Sequence, residues 1–514
     1  MRNLFKMVLA IIPFLGISQS KTLEDITKFS LRNSGAIVNK NFDVDGYYFF
    51  YEVDKLENKE REFAIQILDK NLNDMATKSY VNRKGTALIK SGFNNQALMF
   101  LMANKKEEFL ELVSFDKQAN QNETIKVPIE KKDMKLLTAF AANNNEHNVL
   151  FPVDDRGFVL NLVTYTKRIG YKLKYVPTDG HEPWEFSSPM DSKEILTINP
   201  IEVNEKVIVA LEMSKKSLFS SKVDIKILVI NVDDGKVLFE RSFNKEEDPR
   251  LVTNAFLSDN SELVLLGEYF DKGDHFMKDQ SLGLFAQVND LSGNILSENK
   301  ISWDKHINEK MEMKKGSKTE KNGYIYFHDI IKTQSGDYYA IGETYRKTAS
   351  AAGIASTMAS AMLGGGGGSS LTQLTITDAI IFKFNNKFDL EDVTIYEKGK
   401  SRAQSITDFG SPQLNAHILK NFGAFDYEFT QRDVENDRFY SNFIDYERLK
   451  GEENKLSFKT IIYDDGELSE DKIYLDSDSK VFRVFPAKIG HVMLLEYDKK
   501  EKKVDLHLES LNIK

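Results

Sequence analysis

The chain has 514 residues, with 69 Lys and Arg against 78 Asp and Glu, 41% hydrophobic residues and no Cys. It is long enough to bury a large core, and it has neither disulfides nor thiolate metal ligands. Its 35 Phe, its 20 Tyr and its acidic balance exclude wholesale disorder and a basic nucleic-acid footprint.

At the N-terminus, Arg2 and Lys6 flank the start of an apolar run from Met7 to Ile17, and Ser18-Gln19-Ser20 puts small residues at the −3 and −1 positions of a cleavage site. The run falls well short of the ~20 residues that span a bilayer. Residues 1–20 therefore read as a signal peptide. The mature protein is expected to be exported, periplasmic or extracellular, with no lipid at that site and no transmembrane segment. Ile26 to Leu31 (ITKFSL) follows as an orphan strand, expected to pair with the last repeat and close a ring.

From there one pattern recurs: an apolar strand, a polar loop, a second strand, then a turn of Asn, Asp or Gly into a third. Copies begin near Tyr47 (YYFFYEVD, then FAIQILDKNLNDMATKSY), Ala97 (ALMFLMAN), Gly157 (degenerate, to Val176) and Lys206 (KVIVALEMS). Others begin at Ser261 (SELVLLGEYF), Gly336 (GDYYAIGETY, then DAIIFKFNNKFDLEDVTIY), Phe439 (FYSNFIDYE) and His491 (HVMLLEYD). Preceding strands such as RLVTNAFLS and YFHDIIKT bring each unit to four. Asp45-Gly46, Asp234-Gly235 and Asp465-Gly466 are expected hairpin turns. The prediction is an all-β chain, a single β-propeller domain over 21–514 with about eight four-stranded blades, or alternatively seven. A pair of β-sandwiches would share the short strands but not the repeated turn positions.

These segments resemble the repeats of secreted bacterial β-propellers of the kelch-like and quinoprotein-like kind, over most of residues 30–514. The resemblance implies a propeller with a recognition surface and carries over no activity.

Five copies end their second strand in Glu: Glu52, Glu212, Glu268, Glu343 and Glu496. They read either as an acidic ring or as repeat positions facing solvent or a neighbouring Lys. Asn254 and Asp329 hold matching places on first strands, nearest the axis of a propeller, and with His328 are candidates to line its channel. GxSxG, HExxH, P-loop and strand-linked GxGxxG motifs are absent from the sequence, and no metal or cofactor is expected. An uncharged stretch is inserted at 347–377, where Ile354, Met358 and Met362 keep helical spacing before a tether of Gly364 to Gly368; a helix and a disordered loop are both readings. The equivalent loops of the two preceding copies carry Leu218 and Phe219, and Phe276 and Met277. All emerge on one face of a propeller, so they predict an exposed apolar sector that engages a protein partner or a membrane surface. The expected function is a non-catalytic, exported cell-envelope binding or scaffold protein. The alternative is a propeller hydrolase or lyase acting on glycan or peptide through the channel residues.

Overall fold

Both faces of a second strand are covered in this protein, which is why those strands are apolar at nearly every position. In the strand Val44–Lys55, Tyr47, Phe49 and Tyr51 pack to one side, and Tyr48 and Phe50 to the other. The computed structural model describes residues 19–142, 149–165, 167–217, 223–243, 246–276, 278–315, 323–352, 370–405, 411–420, 423–447, 455–474 and 482–511. These form eight antiparallel sheets, seven of four strands and one of five. In chain order the blades span 34–83, 86–128, 150–187, 195–242, 250–302, 324–404, 427–474 and 482–510, the last completed by Ser20–Leu23.

First strands of blades 2 to 6 touch in succession, as do those of blades 7 and 8, and Phe482–Pro486 of blade 8 meets Ser34–Val38 of blade 1. The core is correspondingly divided into eight apolar clusters, one between each pair of neighbouring blades. Fourth strands lie on the rim and read as polar: Asp74–Arg83 is exposed or half-buried throughout. The eight-bladed propeller is thus the fold.

The ring is closed by an N-terminal strand, but not by the segment expected. Ser20–Leu23 pairs with the third strand of blade 8, Leu23 opposite Val504, and Thr22 Oγ1 donates to Asp505 at 2.6 Å. Asp25, at φ 58°, ends that strand. Ile26 to Leu31 instead crosses to blade 1, with Ile26 buried, its N–H on the Lys502 carbonyl, and Lys28 bridged to Glu52.

Third-to-fourth-strand turns repeat one device. The Oδ1 of Asp69, Asp116, Asp290 and Asn385 accepts two backbone N–H groups each, from residues two and four further on. Asp465-Gly466 turns as expected, with φ 47° and 84°. Asp45-Gly46 does not: it lies inside the strand Val44–Lys55, and the turn before it is built by Asn39, whose Oδ1 takes the N–H groups of Asn41 and Asp43.

Among the described residues, the helices α1 (Lys131–Ala142), α2 (Asn308–Lys315) and α3 (Pro412–Lys420) sit in connections between blades. The strands alternate in direction, so these connections emerge on the same face as the second-to-third-strand loops. Among the described residues no helix is long and apolar enough to cross a membrane.

Candidate functional site

Blade 6 departs from the others where its second strand, Tyr338–Ala349, leaves the sheet. First strands of five blades carry a β-bulge, and in blade 6 the extra residue is His328, between Phe327 and Asp329. The bulge brings the Tyr326 carbonyl so near Gly342 that a Cβ there would lie 2.6 Å from it; at Gly267 in blade 5 the distance to the Leu251 carbonyl would be 2.1 Å. The Gly-Glu pair of the repeat thus has a physical basis. Glycine admits the bulge, and the following Glu enters the blade.

Glu343 is the centre of a buried charge cluster. Its Oε2 accepts from His328 Nε2 at 3.0 Å and from the Tyr427 N–H at 3.0 Å. Its Oε1 lies 2.8 Å from Lys398 Nζ, which also contacts Asp426. Ser401 Oγ donates to Asp426 at 2.8 Å, and the His328 ring stacks flat on Tyr427 with centroids 4.6 Å apart. Burial alone would raise the Glu343 carboxyl, but Lys398 and His328 outweigh it and bring it down to about 2. Burial, helped by the Lys420 and Lys398 charges, pushes His328 down to about 4, so it is neutral and donates through Nε2. Burial also lowers Lys398, yet Glu343 and Asp426 reverse the sign and raise it. Asp426 stays raised, by burial and by the Glu343 charge, against the pull of Lys398. The cluster's charges are spent on one another. This is the chemistry of a clamp more than of proton transfer.

The clamp fixes the foot of a raised hairpin. Register shifts between Glu343 and Tyr345; below that point the two strands pair as blade, and above it Tyr345 to Ala349 pairs with Thr372 to Ile376. Thr344 and Thr377 hydroxyls join at 2.6 Å across the shift. A fifth strand, Ser401–Gln404, adds to the raised part. With α3 it encloses a separate small core of Tyr345, Leu374, Ile376, Ala416, Leu419 and Phe425. Beside it opens a cavity of about 440 Å³ lined by Ser401, Arg402, Asp426, Tyr446 and Arg483, among others. The expected insertion at 347–377 is therefore strand at both ends, and 353–369 lies outside the described residues.

Asn254 and Asp329 do hold matching positions, each just after the bulge. Asp329 pairs with Arg432 at 3.0 Å, whose guanidinium lies 4.7 Å over the Phe42 ring; Asn254 Oδ1 is buried without a partner. His328 is not a channel residue: its side chain is wholly buried among Tyr326, Phe425 and Tyr427, because the bulge re-aims it into the blade. Phe276 corrects the expectation of an exposed tip. It is 8% exposed, in the core between blades 4 and 5, and its carbonyl accepts from Ser411 Oγ just before α3. Asp279 folds the loop inward by accepting the His275 N–H. Leu218, Phe219, Met277, Ile354, Met358 and Met362 lie outside the described residues.

The five strand-end Glu form no ring facing solvent. Glu52 meets Arg61 at 3.3 Å, and Glu212 takes Lys226 and the Tyr171 hydroxyl of the preceding blade. Glu268 is buried, with one oxygen unpartnered, and Glu496 likewise leaves an oxygen unpartnered. Lys398, Ser401 and Asp426 were not legible as site residues, since they reach the cluster from connecting segments with no repeat pattern. The loop at Trp184 is a capped corner, its indole stacked on Tyr175 and its N–H on the Val232 carbonyl at 2.7 Å.

The chain belongs to the family described as "Family of unknown function (DUF6770)", which it matches over residues 1–512. No curated protein matches it. Among solved structures, apo prolyl oligopeptidase B from Galerina marginata is similar, with 9% identity and a TM-score of 0.41, covering 92% of this chain and 56% of that one. The chain thus spans little more than half the length of that protein. The β-propeller domain of the Trilobed protease from Pyrococcus furiosus, described as having an open velcro topology, has 13% identity and a TM-score of 0.31, covering 72% of this chain and 97% of that one.

Proposed function

We propose that this DUF6770 propeller is an exported, non-catalytic binding protein of the cell envelope, which engages a protein partner or a membrane surface through the face bearing the blade 6 hairpin. Export rests on the Arg2/Lys6, apolar-run and Ser18-Gln19-Ser20 pattern. Binding rests on one observation: the hairpin rises past its blade, has a core of its own, and is anchored by a buried charge cluster. Such an investment holds a surface feature in place. A hydrolytic reading would need an accessible acid and base, and the titratable groups of this cluster instead engage each other out of solvent.

The test replaces 353–369 with a short Gly-Ser linker. Binding to vesicles of phosphatidylethanolamine and phosphatidylglycerol, or cross-linking to an envelope protein, should be lost while the unfolding transition is kept. Full binding by the variant would overturn the reading.

A further inference from the structure

A second cavity, of about 270 Å³, lies three blades away between the start of α1 and blade 3. Asp133, in the first turn of α1, lines it. The residue is only 7% exposed, and its Oδ1 meets no hydrogen-bond donor. A carboxylate oxygen in that state lacks what nearly every buried acceptor has. Burial and the neighbouring Glu130 charge hold the Asp133 carboxyl above its usual range, against the Tyr165 backbone amide, Lys132 and Lys172.

Of the two cations that line the cavity, Lys172 is engaged by a carboxylate and Arg168 reaches out to solvent. Lys172 Nζ is 2.9 Å from Glu185, and Lys132 lies over the Tyr165 ring at 5.6 Å. Glu130 and Glu194 add negative charge to the lining, and Arg168 is exposed. Buried Leu162 and Leu196 make part of the wall apolar. A group that fits must donate to Oδ1, carry positive charge and bring a short apolar body.

We propose that this cavity binds the ammonium end of a primary alkylamine, with Asp133 Oδ1 accepting an N–H. The same chemistry is offered by a free small amine and by a lysine side chain of a protein.

The test is calorimetric titration of the full chain at neutral pH with n-butylamine, with Nα-acetyl-lysine N-methylamide and with n-butanol. At least one amine should bind, n-butanol should not, and Asp133→Asn should weaken the amine about tenfold, the worth of one charge-assisted hydrogen bond. Binding of n-butylamine alone identifies a free amine, and binding of the lysine derivative alone or with it admits a protein lysine. If Asp133→Asn does not fold, Glu130→Gln takes its place and should weaken the amine about threefold. Failure of both amines, equal binding of n-butanol, or a variant that binds as the parent does would overturn the proposal.

Discussion

Lys398 and Glu343 meet at 2.8 Å with both side chains fully out of solvent, joining the connection after the fourth strand of blade 6 to its second strand. Removing one partner strands the other charge in the interior, which costs about 3–5 kcal/mol. Glu343→Gln and Lys398→Met should each lose that much in denaturant unfolding. The double variant Glu343→Met with Lys398→Met should recover much of it. Two additive losses would show that the pair does not act as a unit.

Glu268 gives the stability a pH dependence of known sign. Burial raises its carboxyl from the ordinary 4.5 to about 8, against a hydrogen bond from Ser281. The folded state therefore holds a proton that the unfolded state has released. The contribution is fully present below pH 4.5 and is lost as pH rises through about 8. Relative to Glu268→Gln, the parent should lose stability between these limits, by at most about 1.4 kcal/mol per pH unit. A difference that stays flat from pH 5 to 8 would contradict the buried, protonated Glu268.

The closing strand should matter through its buried residue. Leu23 is 3% exposed and packs with Val504 and Leu506 between blades 8 and 1. Leu23→Ala should cost about 2–5 kcal/mol, and deletion of 19–25 should lower the thermal midpoint further by exposing the edge of blade 8. The expected cleavage after Ser20 leaves Lys21, Thr22 and Leu23 of this strand in place. An unchanged midpoint in the deletion would mean that the strand does not hold the ring.

Gly342→Ala should destabilise the protein more than alanine in an ordinary strand, because its Cβ would press on the Tyr326 carbonyl at 2.6 Å and on Phe327 at 3.0 Å. The loss expected is about 1–3 kcal/mol. Gly336→Ala is the contrast: it sits in a turn at φ 90° with open space around it, so any loss there is backbone strain without a clash. The two variants separate in amide exchange, with the Gly342 change loosening Glu343 and His328 and the Gly336 change confined to its turn.

What the amino-acid sequence determined was the blade. Runs such as Tyr47 to Tyr51 are apolar on both faces, rims such as Asp74–Arg83 are polar, and turn residues recur in step. These are local signals, repeated until they average out the irregular copies, so the fold class follows from them, while the choice between eight blades and seven was made by the strand pairing. The first-strand positions of Asn254 and Asp329 were legible for the same reason. Where periodicity was silent, tertiary structure decided. Ser20–Leu23 closes the ring in place of Ile26 to Leu31, because partnership across almost the whole chain depends on which segment reaches Val504 to His507. Phe276 turns inward where Asp279 folds its loop and Ser411, 135 residues away in the chain, donates to its carbonyl, a contact that no repeat pattern announces. His328 is re-aimed by a single extra residue, and a register of period two inverts a side chain's direction at each such step. The clamp of Glu343, Lys398 and Asp426 exists only once three separate segments converge. Alone in the sequence each is an ordinary charged residue, and only their common burial makes them a unit.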